Sequence, residues 1–147
     1  MVEIREAKTC CQKRQFIQFP LKLYKGNDCF VPPLYGDEKK LFRKDYHYYD
    51  DAEAVYYLAY RNSKVVGRIS GILHRKSNEK WQQKRVRFTR FDCIYDREVA
   101  SALFSAVEDW AKSKGMEEVV GPIGFADLER EGLLIEAFDE LSTFEDQ

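Results

Sequence analysis

AVYYLAYRNSKVVGRISGIL, residues 54–73, reads as two strands joined by a short turn. Ala54 to Tyr60 is apolar on both faces and rich in β-formers, the pattern of a strand buried on both sides. Val65 to Leu73 is a second strand, in which Gly67 and Gly71 predict a bulge or a close backbone approach. Arg61 to Lys64 supplies the turn, so the two runs pair as an antiparallel hairpin. Further on, His74 to Gln83 is polar and reads as loop or short helix. Arg85 to Ile94 alternates Val86 and Phe88 with Arg85, Arg87 and Thr89, a third meander strand. Asp96 then caps a helix with Val99, Leu103, Phe104, Val107, Trp110 and Ala111 on one face and Glu108, Asp109 and Lys112 on the other. Gly115 stops it. Glu118 to Val120 reads as a strand closing at Gly121-Pro122, so strand, helix and strand form a βαβ-like unit.

Toward the N-terminus, Val2 to Ala7 alternates as a short strand. Thr9 with Gln12 makes a capping-box signature, and Phe16, Ile17, Phe19 and Leu23 follow at helical spacing, so a helix begins near Cys10. Pro20 removes an amide donor and predicts an end or kink near Phe19, with Leu21 to Tyr24 a second short turn. Lys25 to Pro33 is loop, Gly36 to Arg43 a short helix carrying Leu41 and Phe42, and the tyrosine-rich Asp45 to Asp51 a connection. Gly132 to Phe138 is apolar enough for a last helix or strand, ahead of an acidic tail over 141–147. These elements define an α/β protein of the α+β kind: one domain over residues 1–140, with a mixed, mostly antiparallel central sheet flanked by helices.

A chain of 147 residues with 44% hydrophobic and 33% charged residues can fill a core and stay dissolved, which argues against disorder. The N-terminus lacks a signal-peptide apolar core, and no window approaches the ~18 apolar residues that span a bilayer, so the expectation is a cytoplasmic protein with no membrane partner. Cys10, Cys11, Cys29 and Cys93 have neither C-x-x-C spacing nor His partners at ligand distance, so they read as reduced, mostly buried thiols and no metal site is expected. Between Arg61 and Arg90 stand ten Lys or Arg against Glu79, and between Glu117 and Gln147 ten acids against Arg130. This asymmetry suits a polyanion such as coenzyme A or nucleic acid, or simply two charged surfaces that face each other or solvent.

The hairpin AVYYLAYRNSKVVGRISGIL followed by FDCIYDREVASALFSAVEDWAKSKGMEEVVGP resembles the GNAT (N-acetyltransferase) superfamily. FIQFPLKLYKGNDCFVPPL and GPIGFADLEREGLLIEAFD are more narrowly similar to a bacterial group of uncharacterised GNAT-like proteins with much longer chains, so this one resembles their N-terminal part. The resemblance runs from about Phe16 to Asp139. It implies a GNAT-like fold that is incomplete here, with exposed apolar surface and therefore pairing into a homodimer.

The resemblance also implies an acetyl-CoA-dependent N-acyltransferase acting on an amine. GNAT enzymes hold the cofactor's diphosphate on amides at a helix N-terminus, in a loop of pattern Q/R-x-x-G-x-G/A. Here Tyr95 to Ala100 align with that loop and only Ala100 matches; Glu98 stands at the first Gly, and Asp96 reads as a helix cap that occupies the donors itself. The implied cofactor-binding residues are Phe91, Asp92, Cys93 and Ile94, whose backbone can pair with a pantetheine arm, together with Arg97, Val99 and Ala100; Arg97 and Arg90 offset part of the repulsion. The alternative is a non-catalytic GNAT-like module that binds a protein partner or small ligand. No catalytic residue is assigned: Asp92 and Tyr95 lie near the expected cleft, Cys93 has no adjacent His, and His47 and His74 stand alone. The tyrosines at 46, 48, 49, 56, 57 and 60 with the basic hairpin suggest a nucleic-acid platform, but half lie in a buried strand and no nucleic-acid motif is present, so a nucleic-acid partner is not expected.

Overall fold

The computed structural model describes residues 1–141; the rest of the acidic tail lies outside the described residues. In chain order the elements are β1 (Glu3–Glu6), α1 (Cys10–Leu23), α2 (Tyr35–Lys40), a 3₁₀ turn (His47–Asp50), β2 (Ala52–Arg61), β3 (Lys64–His74), α3 (Arg75–Trp81), β4 (Arg85–Cys93), α4 (Arg97–Ser113) and β5 (Glu118–Val120). One sheet runs β1-β2-β3-β4-β5, antiparallel through β4, with β5 parallel to β4. The mixed, mostly antiparallel sheet flanked by helices is the architecture expected from the sequence.

The β2–β3 hairpin turns on Asn62 and Ser63, both with positive φ (49° and 62°), the mirror-image turn that matches strand twist. On one face α4 packs Val99, Leu103 and Val107, each fully buried, against Ile69, Val86 and Phe88. Burying each such side chain contributes roughly 1.5–3 kcal/mol. Gly67 and Gly71 sit beneath this helix: a Cβ on Gly67 would lie 2.8 Å from Leu103 Cδ1, and one on Gly71 would lie 3.1 Å from the Trp110 ring. Both glycines permit close approach, and β3 also carries a bulge beside Gly67, where Ala59 faces Gly67 and Tyr60 faces Val65 with Val66 the extra residue. On the opposite face α1 and the tyrosine-rich turn cover Tyr56, Leu58, Tyr60 and Ile72 with Phe16, Leu41 and Phe125.

Three sequence expectations are corrected. The cysteines are not mostly buried: Cys10 and Cys11 are exposed on the first turn of α1, and Cys29 and Cys93 are half-buried. Helix α1 does not end near Phe19: it runs through Pro20 to Leu23. Pro20 cannot donate to the carbonyl of Phe16, but the buried Arg68 does so from β3, Nη1 to O at 2.9 Å. A long-range donor thus replaces the bond that proline removes. Gly132 to Phe138 forms neither helix nor strand; Leu133, Leu134, Ile135 and Phe138 are exposed, with no packing surface to order them into an element.

A second bulge lies in β4. Arg68 faces Asp92 and Ser70 faces Thr89, so β4 carries one extra residue there, Arg90, with φ of 50°. Strand β5 follows β4 only along Arg85–Arg87, after which Ile123 N donates to Phe88 O and the ladder stops.

Candidate functional site

Helix α4 begins beside the end of β4, where a GNAT diphosphate site would lie. Asp96 Oδ1 accepts from the amides of Glu98 (2.9 Å) and Val99 (3.3 Å), and the Asp96 carbonyl accepts from Ala100 (3.1 Å). Arg61, reaching over from the hairpin, donates to Asp96 Oδ2 at 2.5 Å and to Glu98 Oε2 at 2.6 Å. The bond to Arg61 is the main cause holding the Asp96 carboxyl below its usual range. Two amide donors at this helix start are thus bonded to a carboxylate, and Arg61 is shared between two acids.

Along β4 the main chain is more open. Ile94 N donates to Val66 O in β3, and by alternation the amides and carbonyls of Phe91 and Cys93 point to the opposite edge, where β5 no longer runs. Their side chains face α4: Phe91 packs on Phe104 with ring centroids 4.6 Å apart, and Cys93 lies beside Gly67. Burial, with Asp92 adding to it, pushes the Cys93 thiol up, away from nucleophilic reactivity. Val99 is buried, Arg97 and Tyr95 are exposed, and Ala100 is half-buried. The expected residues therefore converge on one corner, with two exceptions in side-chain direction. Asp92 turns to the α1 face, accepting from Arg68 Nε at 2.8 Å and from the Tyr24 hydroxyl at 2.9 Å. Arg90, expected to offset charge at the loop, points to the same face and pairs with Glu38.

These two belong to a buried charge ladder that sequence reading missed. Tyr24, Asp92, Arg68, Glu38, Arg90 and Glu129 follow one another, with contacts of 2.9, 2.8, 3.8, 3.1 and 3.8 Å. It joins α1, α2, β3, β4 and the segment after β5. Burial works against the charge on Arg68 and the Asp92 carboxylate opposes that; burial works against Arg90 too, but Glu38 and Glu129 outweigh it. Burial, then Asp92, raises the Tyr24 hydroxyl, which therefore stays a donor. The ladder ends at an open cleft of about 380 Å³, lined by Asp37, Lys40, Arg43, Asp45, Tyr46 and Glu129 among others. Asp37 pairs with Lys40 and Asp45 with Arg43, each at 2.7 Å, so the carboxylate least engaged with a cation is Glu129, which also accepts from Phe125 N. Burial, helped by Glu129, pushes the Tyr46 hydroxyl up to about 12.

The basic stretch is largely matched within the chain. Lys84 meets Glu117 and Arg85 meets Glu118, while Arg87 donates to the carbonyls of Gly124 and Phe125. Among the described residues the two oppositely charged segments meet at Lys84–Glu117, Arg85–Glu118 and Arg90–Glu129. Among the described residues no group of His, Cys, Asp and Glu could hold a metal ion, and no helix is long and apolar enough to cross a membrane.

No family model matches the chain. Protein YghO of Escherichia coli (strain K12) is 31% identical over 126 residues, which is 86% of this chain and 32% of that protein. A bacterial ceramide synthase of Caulobacter vibrioides (strain NA1000 / CB15N) is 30% identical over 134 residues, 90% of this chain and 35% of that one. The chain spans about a third of the length of the curated relatives it matches. Among solved structures, the PaiA N-acetyltransferase from Thermoplasma acidophilum in complex with coenzyme A superposes with a TM-score of 0.52 at 14% identity, over 81% of this chain and 77% of that one. The fold is that of the GNAT acetyltransferases.

Proposed function

We propose that this chain supplies the donor-binding part of an N-acyltransferase that moves an acyl group from a thioester, acetyl-CoA in the simplest case, to an amine. The observation that carries this reading is the parting of β4 from β5, which leaves the main-chain groups of Phe91 and Cys93 without a strand partner. A pantetheine arm, with two amides in an extended chain, can add to such an edge as a further strand does. In the reaction the amine nitrogen bonds to the thioester carbonyl carbon, the C–S bond breaks, and the amine proton is lost as the thiol leaves. Such donors form a cytoplasmic pool, so the proposal places the protein there.

The acceptor class follows from the Caulobacter relative, a ceramide synthase by name. A ceramide is the N-acyl amide of a long-chain amino alcohol, so we propose a long-chain amine. The cleft beside the bulge suits its ammonium group, since Glu129, Tyr46 and Tyr48 are among the residues that line it. A second reading, a GNAT-like module that binds a ligand or partner without catalysis, is favoured by the carboxylate that closes the α4 N-terminus.

Hydrogen exchange with and without S-acetyl-pantetheine tests the proposal. Slower exchange over 91–94, and over 43–48 when a long-chain amine is added, is the expected result. Protection that leaves 91–94 unchanged would refute the donor site. Binding without thiol release in any amine's presence would favour the second reading.

A further inference from the structure

We infer that the donor of this chain is a pantetheine thioester without the adenosine diphosphate of coenzyme A, and that Asp96 sets that preference. This rests on the acyltransferase reading above and narrows it. The argument begins with what Asp96 does. Its Oδ1 takes the amides of Glu98 and Val99, and its Oδ2 takes Arg61. Those are the kinds of bonds, two backbone donors and a guanidinium, with which a protein would hold a phosphate at a helix N-terminus. The chain carries its own anion there.

Glu98 adds a second. Its carboxylate lies on the other arm of the same guanidinium, so Arg61 is fully engaged. In formal charge, Asp96 and Glu98 cancel Arg61 and Arg97, and an incoming diphosphate meets a neutral surface on which the amides of Glu98 and Val99 and the Arg61 guanidinium are already bonded. Displacing Asp96 would break its bonds to two amides and to Arg61, and leave two carboxylates beside the phosphates. The outer edge of β4 is free of this conflict. The groups of Phe91 and Cys93 point away from β3, and the Asp96 cluster lies beyond Tyr95, at the start of the helix. One half of the usual cofactor therefore has a place and the other does not. 4′-Phosphopantetheine, free or linked to a carrier protein, is the arm with a single phosphate and no nucleotide.

The test compares three probes by calorimetry on the full chain: coenzyme A, 4′-phosphopantetheine and adenosine 3′,5′-bisphosphate. Coenzyme A is expected to bind more weakly than 4′-phosphopantetheine, by about twofold or more, and the nucleotide neither to bind nor to compete. In the double variant Asp96→Gly/Glu98→Gly, coenzyme A should gain about tenfold or more while 4′-phosphopantetheine changes little. Asp96→Asn keeps a capping oxygen, and so guards against simple loss of α4; it should recover only part of that gain. A holo carrier protein, compared with its form lacking the arm, separates the carrier-borne source from the free one. Coenzyme A binding the wild type about tenfold more tightly than 4′-phosphopantetheine, or competition by the nucleotide, would overturn the inference and leave the acyltransferase reading standing. If neither arm binds, both fall together.

Discussion

Replacing Arg68 by Met tests the most unusual joint in the molecule. Arg68 is 5% exposed and serves three partners: Asp92 at 2.8 Å, the Phe16 carbonyl at 2.9 Å and, more distantly, Glu38 at 3.8 Å. Removing it leaves a buried carboxylate without its cation, a change that typically costs about 3–5 kcal/mol. The loss is a large fraction of the roughly 5–15 kcal/mol that holds a domain together. It also orphans the Phe16 carbonyl, because Pro20 has no N–H to offer, at about 1–3 kcal/mol. That second term can be isolated with Pro20→Ala, which restores the helical donor. In the wild type the new amide meets an acceptor already served by Arg68; in the Arg68→Met background it meets an empty one. Urea unfolding of the four proteins, followed by circular dichroism, should show Pro20→Ala more favourable in the Arg68→Met background by about 1 kcal/mol. Additivity to within about 0.5 kcal/mol would refute the claim that Arg68 substitutes for the proline's missing bond. Arg68→Lys should not rescue, since one ammonium lacks the planar fork that reaches Asp92 and Phe16 together.

Gly67→Ala places a methyl 2.8 Å from Leu103 Cδ1 and 3.0 Å from Val99 Cγ1, so urea unfolding should show a loss of about 1–3 kcal/mol. A loss below about 0.5 kcal/mol would mean that α4 can lift off β3 freely. Cys93 is raised by burial and flanked by Asp92 and Asp96, whereas Cys10 and Cys11 are exposed. Ellman's reagent at neutral pH should therefore modify Cys10 and Cys11 first, read by mass spectrometry, with Cys93 trailing. The Asp96 carboxyl is lowered in the fold, chiefly by Arg61. Its contribution is therefore present above the ordinary carboxyl value of about 4 and is lost as pH falls through the lower folded value. Asp96→Asn should flatten the acid limb of the stability profile below about pH 4, and an unchanged limb would contradict the Arg61 pairing.

What the sequence made legible was mostly local. The capping box of Thr9 and Gln12 forms as expected, because its bonds lie within one turn. Asp96 caps α4, the stripe from Val99 to Ala111 is buried, and Gly115 adopts a φ of 72° just past the helix. The errors are long-range. Pro20 was expected to break α1 because its rescuer sits 48 positions away on another element. Nothing near Glu38 or Glu129 in the chain announces a buried arginine as their partner. Arg90 was read as a possible aid at the helix N-terminus and instead faces α2. For that residue the only available signal was Asp92, a charge in a run otherwise apolar after Arg90, and a charge near a strand end does not reveal a bulge.

The bulge is what reconciles the apolar and charged faces of β4. Strict alternation from Val86 and Phe88 would place Asp92 against α4 and Phe91 among the charges on the α1 side. One extra residue reverses both assignments: Phe91 reaches Phe104, and Asp92 reaches Arg68 and Tyr24. Arg90 itself takes the left-handed conformation and turns toward Glu38. The same irregularity lies where β4 and β5 part, so the ladder that secures α1 and the free edge proposed for the donor share one cause. Two variants separate the bulge from the arginine. Deleting Arg90 makes β4 regular while keeping Phe91 toward α4 and Asp92 toward Arg68, so it removes the extra residue together with the cation nearest Glu38, at about 3–5 kcal/mol. Arg90→Gly keeps the extra residue and suits its positive φ, yet leaves Glu38 with only the more distant Arg68. It should fold with a loss of about 2–4 kcal/mol by urea unfolding, the ion-pair term less the relieved backbone strain. A deletion variant with native circular dichroism and stability within about 1 kcal/mol of wild type would show that neither the bulge nor the Arg90–Glu38 pair secures this face.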